Sequence, residues 1–576
     1  ELCWGADGLA EPDRAVLNLR VRRPTESHKR TFISDIDGSV QYYAVQPQQP
    51  AGQPPGRPAL FLTLHGAGVE ALGQADAYTP KDWGHTVAPT NRRPYGFDWE
   101  DWGRLDALEV LELVSRRLGT DPQRTYLLGH SMGGHGVWQL GATWPDRFAA
   151  IAPSAGWISF WSYAGAERLS GGTRIEAILS RAANPSDTLA LSRNYLHHGV
   201  YVLHGELDDN VPVEQARTMR QHLAGYHADF AYYERPGAGH WWGNACVDWP
   251  PLFDFLKSHT RPTTNEVRHL EFVTGSPAIS ATCCWAAIEA QKRWLDFSRI
   301  DLRVEPDQRF IRGTTDNVSR LRISLAAPPP QPAETAQYLL DPGSPISVEI
   351  DGQTLSELPW PEDAQIRFAW RGESWVPLTE DPAGAKGPQR AGPFKDVFRR
   401  RVQLVYGTRG SPEENAQTLA KARYDAETFW YRGNGSFDVV ADAEFDAHAE
   451  PDRNVVLYGN ADTNAAWTAL FAESPVQVCA GRVRVGEREL VGDDMAVLAI
   501  HPRPGSDVAL VGVVAGSGLV GMRVTERLPY FVSGVAYPDW IVLGAETLHE
   551  GIAGVRGAGF YDEQWQLDFE QSGWHE

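Results

Sequence analysis

The sequence predicts an α/β chain in three units. An α/β domain built on a parallel sheet spans residues 1–260. A β-rich, sandwich-like module spans 261–395, and a doubly wound α/β domain spans 396–576. Three observations predict this. The apolar run Thr125-Tyr126-Leu127-Leu128 passes straight into the turn Gly129-His130-Ser131-Met132-Gly133, as a buried strand does where it meets a helix. After Arg261 the pattern changes to short alternating runs, such as 319–325 and 346–350, separated by turn signals at Asp351-Gly352 and Arg371-Gly372. From Arg401 onward, strand-like runs and helical stretches alternate again.

Taken in chain order, the first informative element is the strand Leu60-Phe61-Leu62-Thr63-Leu64, followed at once by His65-Gly66-Ala67-Gly68. Such a turn can aim a backbone N–H at a developing oxyanion. Ala67 is the first choice as donor and Gly68 the second, while Met132, the residue after the serine, supplies the other N–H. Next comes Ser131, held between glycines where a bulky neighbour would clash with the adjoining strand and helix. The run Val200-Tyr201-Val202-Leu203 then ends in the acidic turn His204-Gly205-Glu206-Leu207-Asp208-Asp209-Asn210. Asp208 is the candidate acid, with Asp209 and Glu206 as rivals and helix capping as the bland alternative. A short aromatic strand from Phe230 leads through Gly237-Ala238-Gly239 to His240, placed to take a proton from Ser131 and donate to Asp208.

Residues from about 30 to 258 resemble an α/β-hydrolase catalytic domain of the prolyl-oligopeptidase and dienelactone-hydrolase type. They are most similar to the branch that includes feruloyl esterases and polyhydroxybutyrate depolymerases. The resemblance rests on His65-Gly66-Ala67-Gly68, Gly129-His130-Ser131-Met132-Gly133-Gly134, His204-Gly205 with Asp208 and Val211-Pro212, and Gly239-His240. It implies the order nucleophile, acid, histidine and a metal-free, cofactor-free serine hydrolase. The expected substrate is a small-molecule or polymer-linked carboxylic ester. A serine peptidase acting on short peptides is one alternative, and a non-catalytic binding scaffold is another.

Composition narrows the partners. A net charge of -21 argues against nucleic acid and anionic membrane surfaces. No apolar run approaches the roughly 20 residues needed to cross a bilayer. Five cysteines in 576 residues do not make a disulfide framework, although a bridge from Cys246 is conceivable. No pattern has zinc-ligand spacing, and His197-His198 reads as a solvated helix end. The chain opens at Glu1, and a secreted or periplasmic location is the expectation. Oligomeric state is open.

Aromatic residues crowd the expected strand ends. Trp99, Trp102, Trp157, Trp161, Trp241 and Trp242 are the candidate substrate-binding residues, since flat apolar faces suit aromatic acyl groups or sugar rings. Packing is the alternative for any one of them. Residues 156–194 leave room for a small helical cap. In the Rossmann-like C-terminal domain, Gly516-Ser517-Gly518-Leu519-Val520-Gly521 has dinucleotide-turn spacing. Its late position, the weak first turn Gly407-Thr408-Arg409-Gly410 and the distant acid Glu546 make tight packing the preferred reading, with no cofactor.

Overall fold

The structure is a computed structural model describing residues 2–4, 13–16, 21–49, 56–163, 168–169, 171–327 and 337–575. The proline-rich stretch 328–332, whose composition reads as a stiff extended loop or linker, lies outside the described residues.

The N-terminal domain is an eight-stranded sheet. Its strands are β1 (His28–Ile33), β2 (Val40–Gln46), β3 (Ala59–Leu64), β4 (Gly84–Ala88), β5 (Thr125–His130), β6 (Ala150–Ser154), β7 (Gly199–Gly205) and β8 (Phe230–Arg235). They lie in the order β1-β2-β4-β3-β5-β6-β7-β8. The strands from β4 to β8 pair in parallel, while β1 and β2 form an antiparallel edge. This is the α/β-hydrolase type of sheet. Every residue of β3, β5, β6 and β7 is buried, because helices cover both faces of a parallel sheet. Helices α1 (Asp101–Leu118) and α2 (Met132–Thr143) precede and follow β5.

Residues 269–378 carry two five-stranded sheets. Strand Ser298–Glu305 alternates buried and solvent-facing residues, the period-2 pattern of a strand with one covered face. Leu270, Phe272, Ile300 and Val348 of one sheet share a core with Ala286, Ile288, Leu321 and Phe368 of the other. All pairings are antiparallel except that of Phe310–Asp316 with Ile346–Ile350.

The C-terminal sheet also has eight strands, but only half of it is parallel. Asp438–Ala441, Val402–Tyr406, Asn454–Tyr458 and Leu510–Gly516 run parallel. Ala496–Pro502, Trp540–Leu543, Val555–Tyr561 and Leu567–Trp574 continue antiparallel. A doubly wound sheet is therefore too simple a description. The connection from Pro502 to Leu510 is a short hairpin, too short for the crossover that a parallel neighbour requires.

The units share apolar contacts. Phe97 and Trp102 of the N-terminal domain join the C-terminal core, where Trp102 meets Phe429 edge-on at 4.4 Å. Arg92 is buried in an ion pair with Asp37 and donates to the Gly433 carbonyl at 2.8 Å. Trp294 and Leu295 of the central module enter the same core. Among the described residues of 156–194, the expected small cap is not separate from the C-terminal domain. Helix Arg174–Ala182 carries Ile175 and Ile178 into that C-terminal core.

Candidate active site

Ser131 stands between β5 and α2 with φ 59° and ψ −122°, a strained conformation for a residue with a side chain. The glycines around it make the turn possible. A Cβ on Gly133 would come within 1.9 Å of the Leu64 carbonyl oxygen, and one on Gly134 within 2.3 Å of the Ser154 oxygen. The backbone is pinned on both sides, with Ser131 N–H donating to Ser154 at 2.9 Å and Ser131 C=O accepting from His135 N–H at 3.0 Å. The side chain is thus presented at the strand end, beside the N-terminus of α2.

The turn His65-Gly66-Ala67-Gly68 lies against it. A Cβ on Gly66 would sit 3.5 Å from Ser131 Cβ. Gly68 N–H is already engaged, donating to the Pro94 carbonyl at 3.0 Å. The His65 ring is fixed between the Gly66 and Thr90 carbonyls, and the His65 carbonyl accepts from Trp99 Nε1 at 3.0 Å.

His240 Nδ1 donates to Asp208, 2.8 Å from Oδ2 and 3.0 Å from Oδ1. Asp208 Oδ1 also accepts the N–H groups of Asn210 and Val211. His204 Nε2 lies 3.2 Å from Asp208 Oδ2 and 2.9 Å from the Val211 carbonyl. Burial alone would raise the carboxyl pKa. The hydrogen bonds from His204, His240, Val211 and Asn210 outweigh it and hold the carboxylate well below its ordinary range. Asp209 and Glu206 are exposed, and Glu206 instead accepts the Gly237 N–H.

Two histidines that the sequence reading quoted in its motifs, without a role for either, stand beside these groups. His204 braces Asp208, and its signal was its place at the end of an apolar strand just before the acid. His130 occupies the variable position before Ser131, its ring 4.8 Å from that of His240 and 5.1 Å from Trp241. Burial, assisted by the neighbouring His240, pushes His130 down to about 3. It is a neutral ring packed beside the His240 imidazole.

The tryptophans divide. Trp241 is 51% exposed beside His130 and His240. Trp242 is half-buried beneath Arg235. Trp99, Trp102 and Trp157 are buried and do not form an open wall. Trp99 braces His65, and Trp157 stacks between His135 and Tyr163. Trp161 lines a cavity of about 390 Å³ with Leu179, Val535 and Ile552, between the N- and C-terminal domains and apart from Ser131. Tyr95, which the sequence reading overlooked, is largely exposed, with its hydroxyl 3.1 Å from where a Gly68 Cβ would lie.

Other expectations change. His198 is buried with Nδ1 on the Pro145 carbonyl, and His197 bonds the Glu271 carbonyl, so the pair is not a solvated helix end. Cys246 is a free, buried thiol whose sulfur accepts the Trp242 N–H at 3.1 Å.

Residues 92–261 match the prolyl oligopeptidase family. An uncharacterized secreted protein of Arthroderma benhamiae is 24% identical over 88% of this chain and 55% of its own length. Feruloyl esterase B of Talaromyces stipitatus is 29% identical over 22% of this chain and 38% of its own. The chain thus spans about half, or less, of the length of these relatives. A solved ferulic acid esterase is 18% identical over 40% of this chain and 96% of its own, with a TM-score of 0.32. No helix among the described residues is long and apolar enough to cross a membrane.

Proposed function

We propose, from a chain whose residues 92–261 form a hydrolase domain of the prolyl oligopeptidase family in the α/β-hydrolase superfamily, that the protein cleaves carboxylic esters through an acyl-enzyme on Ser131. Ser131 Oγ attacks the ester carbonyl while His240 Nε2 takes its proton, and Asp208 holds the imidazole through Nδ1. The N–H groups of Ala67 and Met132 receive the oxyanion. Collapse expels the alcohol, protonated by His240, and water then releases the acid by the same steps reversed.

The observation that carries this reading is one arrangement of separate segments. Ser131 sits in a strained turn against Gly66, while Asp208 and His240, from other loops, are paired at 2.8 Å. Exposed Trp241 and Tyr95 favour aromatic or polysaccharide-linked acyl esters. Trp99, Trp102 and Trp157 have no part in this binding. Likeness to a secreted relative supports a location outside the cytoplasm.

The matched family's name favours peptide cleavage as the second reading. Matched aryl ester and anilide substrates separate the two. Ester hydrolysis should exceed anilide hydrolysis by orders of magnitude in kcat/KM, and faster turnover of an aminoacyl anilide would transfer the assignment to a peptidase.

A further inference from the structure

Away from Ser131, His197, Cys283 and Cys284 each offer a ligating atom, all within 4.8 Å of one another. They come from two units. His197 ends the short helix Ser192–His197 of the hydrolase domain, while Cys283 ends strand Thr282–Cys283 of the central module and Cys284 follows it in the turn. Their separation along the chain hides them from any search for ligand spacing.

The local geometry suits a metal. Adjacent residues on a strand point to opposite faces. Cys284, however, has φ 51°, and its N–H is held by Asp146 Oδ2 at 2.8 Å. This turn breaks the alternation and leaves the two sulfurs 3.9 Å apart. Two thiolates on one tetrahedral zinc, each at about 2.3 Å, stand about 3.8 Å apart. A disulfide needs about 2.05 Å. His197 Nε2 lies 2.6 Å from the Glu271 carbonyl, which can only accept, so the hydrogen is on Nε2 and Nδ1 keeps its lone pair. Ligating histidines are commonly fixed by such a bond. Cys283 is buried and the other two are half-buried, so an ion has an approach from solvent.

We propose that His197, Cys283 and Cys284 form a zinc site with water as the fourth ligand, fastening the central module to the hydrolase domain. Two thiolates and an imidazole select a borderline-soft cation over magnesium or calcium. The thiols release their protons as the ion binds. The site is independent of Ser131 chemistry.

The test uses the full chain, stripped with a chelator and titrated with cobalt(II), then zinc(II). Cobalt should bind in a one-to-one ratio with a thiolate-to-metal charge-transfer band, and zinc should displace it and raise the Tm of the stripped protein. Cys283 is buried and its replacement threatens folding, so Cys284→Ser and His197→Gln are the variants to compare. Both should weaken or abolish the band and the Tm response while remaining folded by circular dichroism. Absence of the band in the wild type, or an unchanged band in both variants, would overturn the proposal. So would a purified chain lighter by two hydrogens that ignores zinc, which would signify a Cys283–Cys284 disulfide.

Discussion

Two strand-to-helix turns in this molecule are equally rich in glycine and differ in what they expose. At Ser131, Gly129, Gly133 and Gly134 let α2 close on β3 and β6 while a single strained residue projects its side chain. At Gly516, Gly518 and Gly521, glycine again permits close approach. A Cβ on Gly516 would come within 2.2 Å of Met522 N, and one on Gly521 within 2.1 Å of the Met495 oxygen. Here no polar side chain projects. Gly518 is extended at φ −176°, and Ser517 is fully buried. The backbone is engaged by its own surroundings. Gly521 N–H donates to Asp493, Gly481 N–H to Ser517, and Asn460 Nδ2 to the Gly516 carbonyl. The adjoining space is about 10 Å³, room for about one water molecule and not for a pyrophosphate. Glycine density therefore marks close packing in both places. A reactive site additionally needs a strained side chain facing partners from other loops.

The strongest way to break this comparison is to remove those partners. Ser131→Ala and His240→Ala should each lower kcat for an aryl ester by about 10⁶-fold, with little change in Tm. Asp208→Asn should cost about 10⁴-fold because the imidazole loses its orienting acceptor, while Asp209→Asn stays near wild type. Steady-state kinetics decide. A silent Asp208→Asn would move the acid elsewhere.

The glycines sharpen it next. Gly133→Ala and Gly521→Ala both force a Cβ against a carbonyl oxygen, and each should destabilise by about 1–3 kcal/mol or more. Only Gly133→Ala should also lower kcat per folded molecule, read by active-site titration at a temperature where both variants are folded. Equal losses of kcat would mean that the two turns are coupled.

A smaller effect compares the domains through pH. Burial depresses His198 to about 3 in the hydrolase domain and His501 to about 4 in the C-terminal domain. Unfolded histidine, near 6.5, binds its proton first as pH falls. Stability contributed by these neutral rings is therefore complete above about pH 6.5 and declines toward pH 4, by up to about 1.4 kcal/mol per pH unit per ring. His198→Gln and His501→Gln should each flatten the fall of Tm between pH 6.5 and 4. An unchanged slope in both would show that the rings are protonated in the fold. The smallest expected signal is none. NAD, NADP, FAD and ATP should give no micromolar binding heat, and heat that vanishes in Gly518→Val would make the C-terminal turn a ligand site.

The legible parts of the sequence were those where one backbone requirement dictates residue type. The turn at Ser131 demands glycine at fixed offsets, and β3, β5 and β7 are buried on both faces and so read as unbroken apolar runs. The illegible parts depend on which way a loop faces. Trp99 and Trp241 look alike in a string of letters. Trp99 is turned inward because Asn91 Oδ1 accepts its N–H and that of Phe97, whereas Trp241 follows His240 to the rim. Asp208 could be chosen over Asp209 from the loop pattern, but its contacts with His204 and His240, and the exposure of Asp209, are visible only in the fold. The mixed C-terminal sheet was hidden because a strand beside a hairpin and a strand beside a crossover bury the same residues.

The seam around Arg92 bears on how such a protein can be recombined. Arg92 grips the end of helix Pro412–Gly433, its neighbour Asn91 holds Trp99, and Trp99 anchors the His65 carbonyl at the start of the glycine turn beside Ser131. A chain cut at Arg261 would leave Arg92 without the Gly433 carbonyl and return Phe97, Trp102, Ile175 and Ile178 to water, on the order of 2 kcal/mol for each side chain. The hydrolase unit is consequently not a detachable cassette. Gene shuffling that swaps the tail would have to carry residues 89–104 along with it, or inherit a loosened cleft.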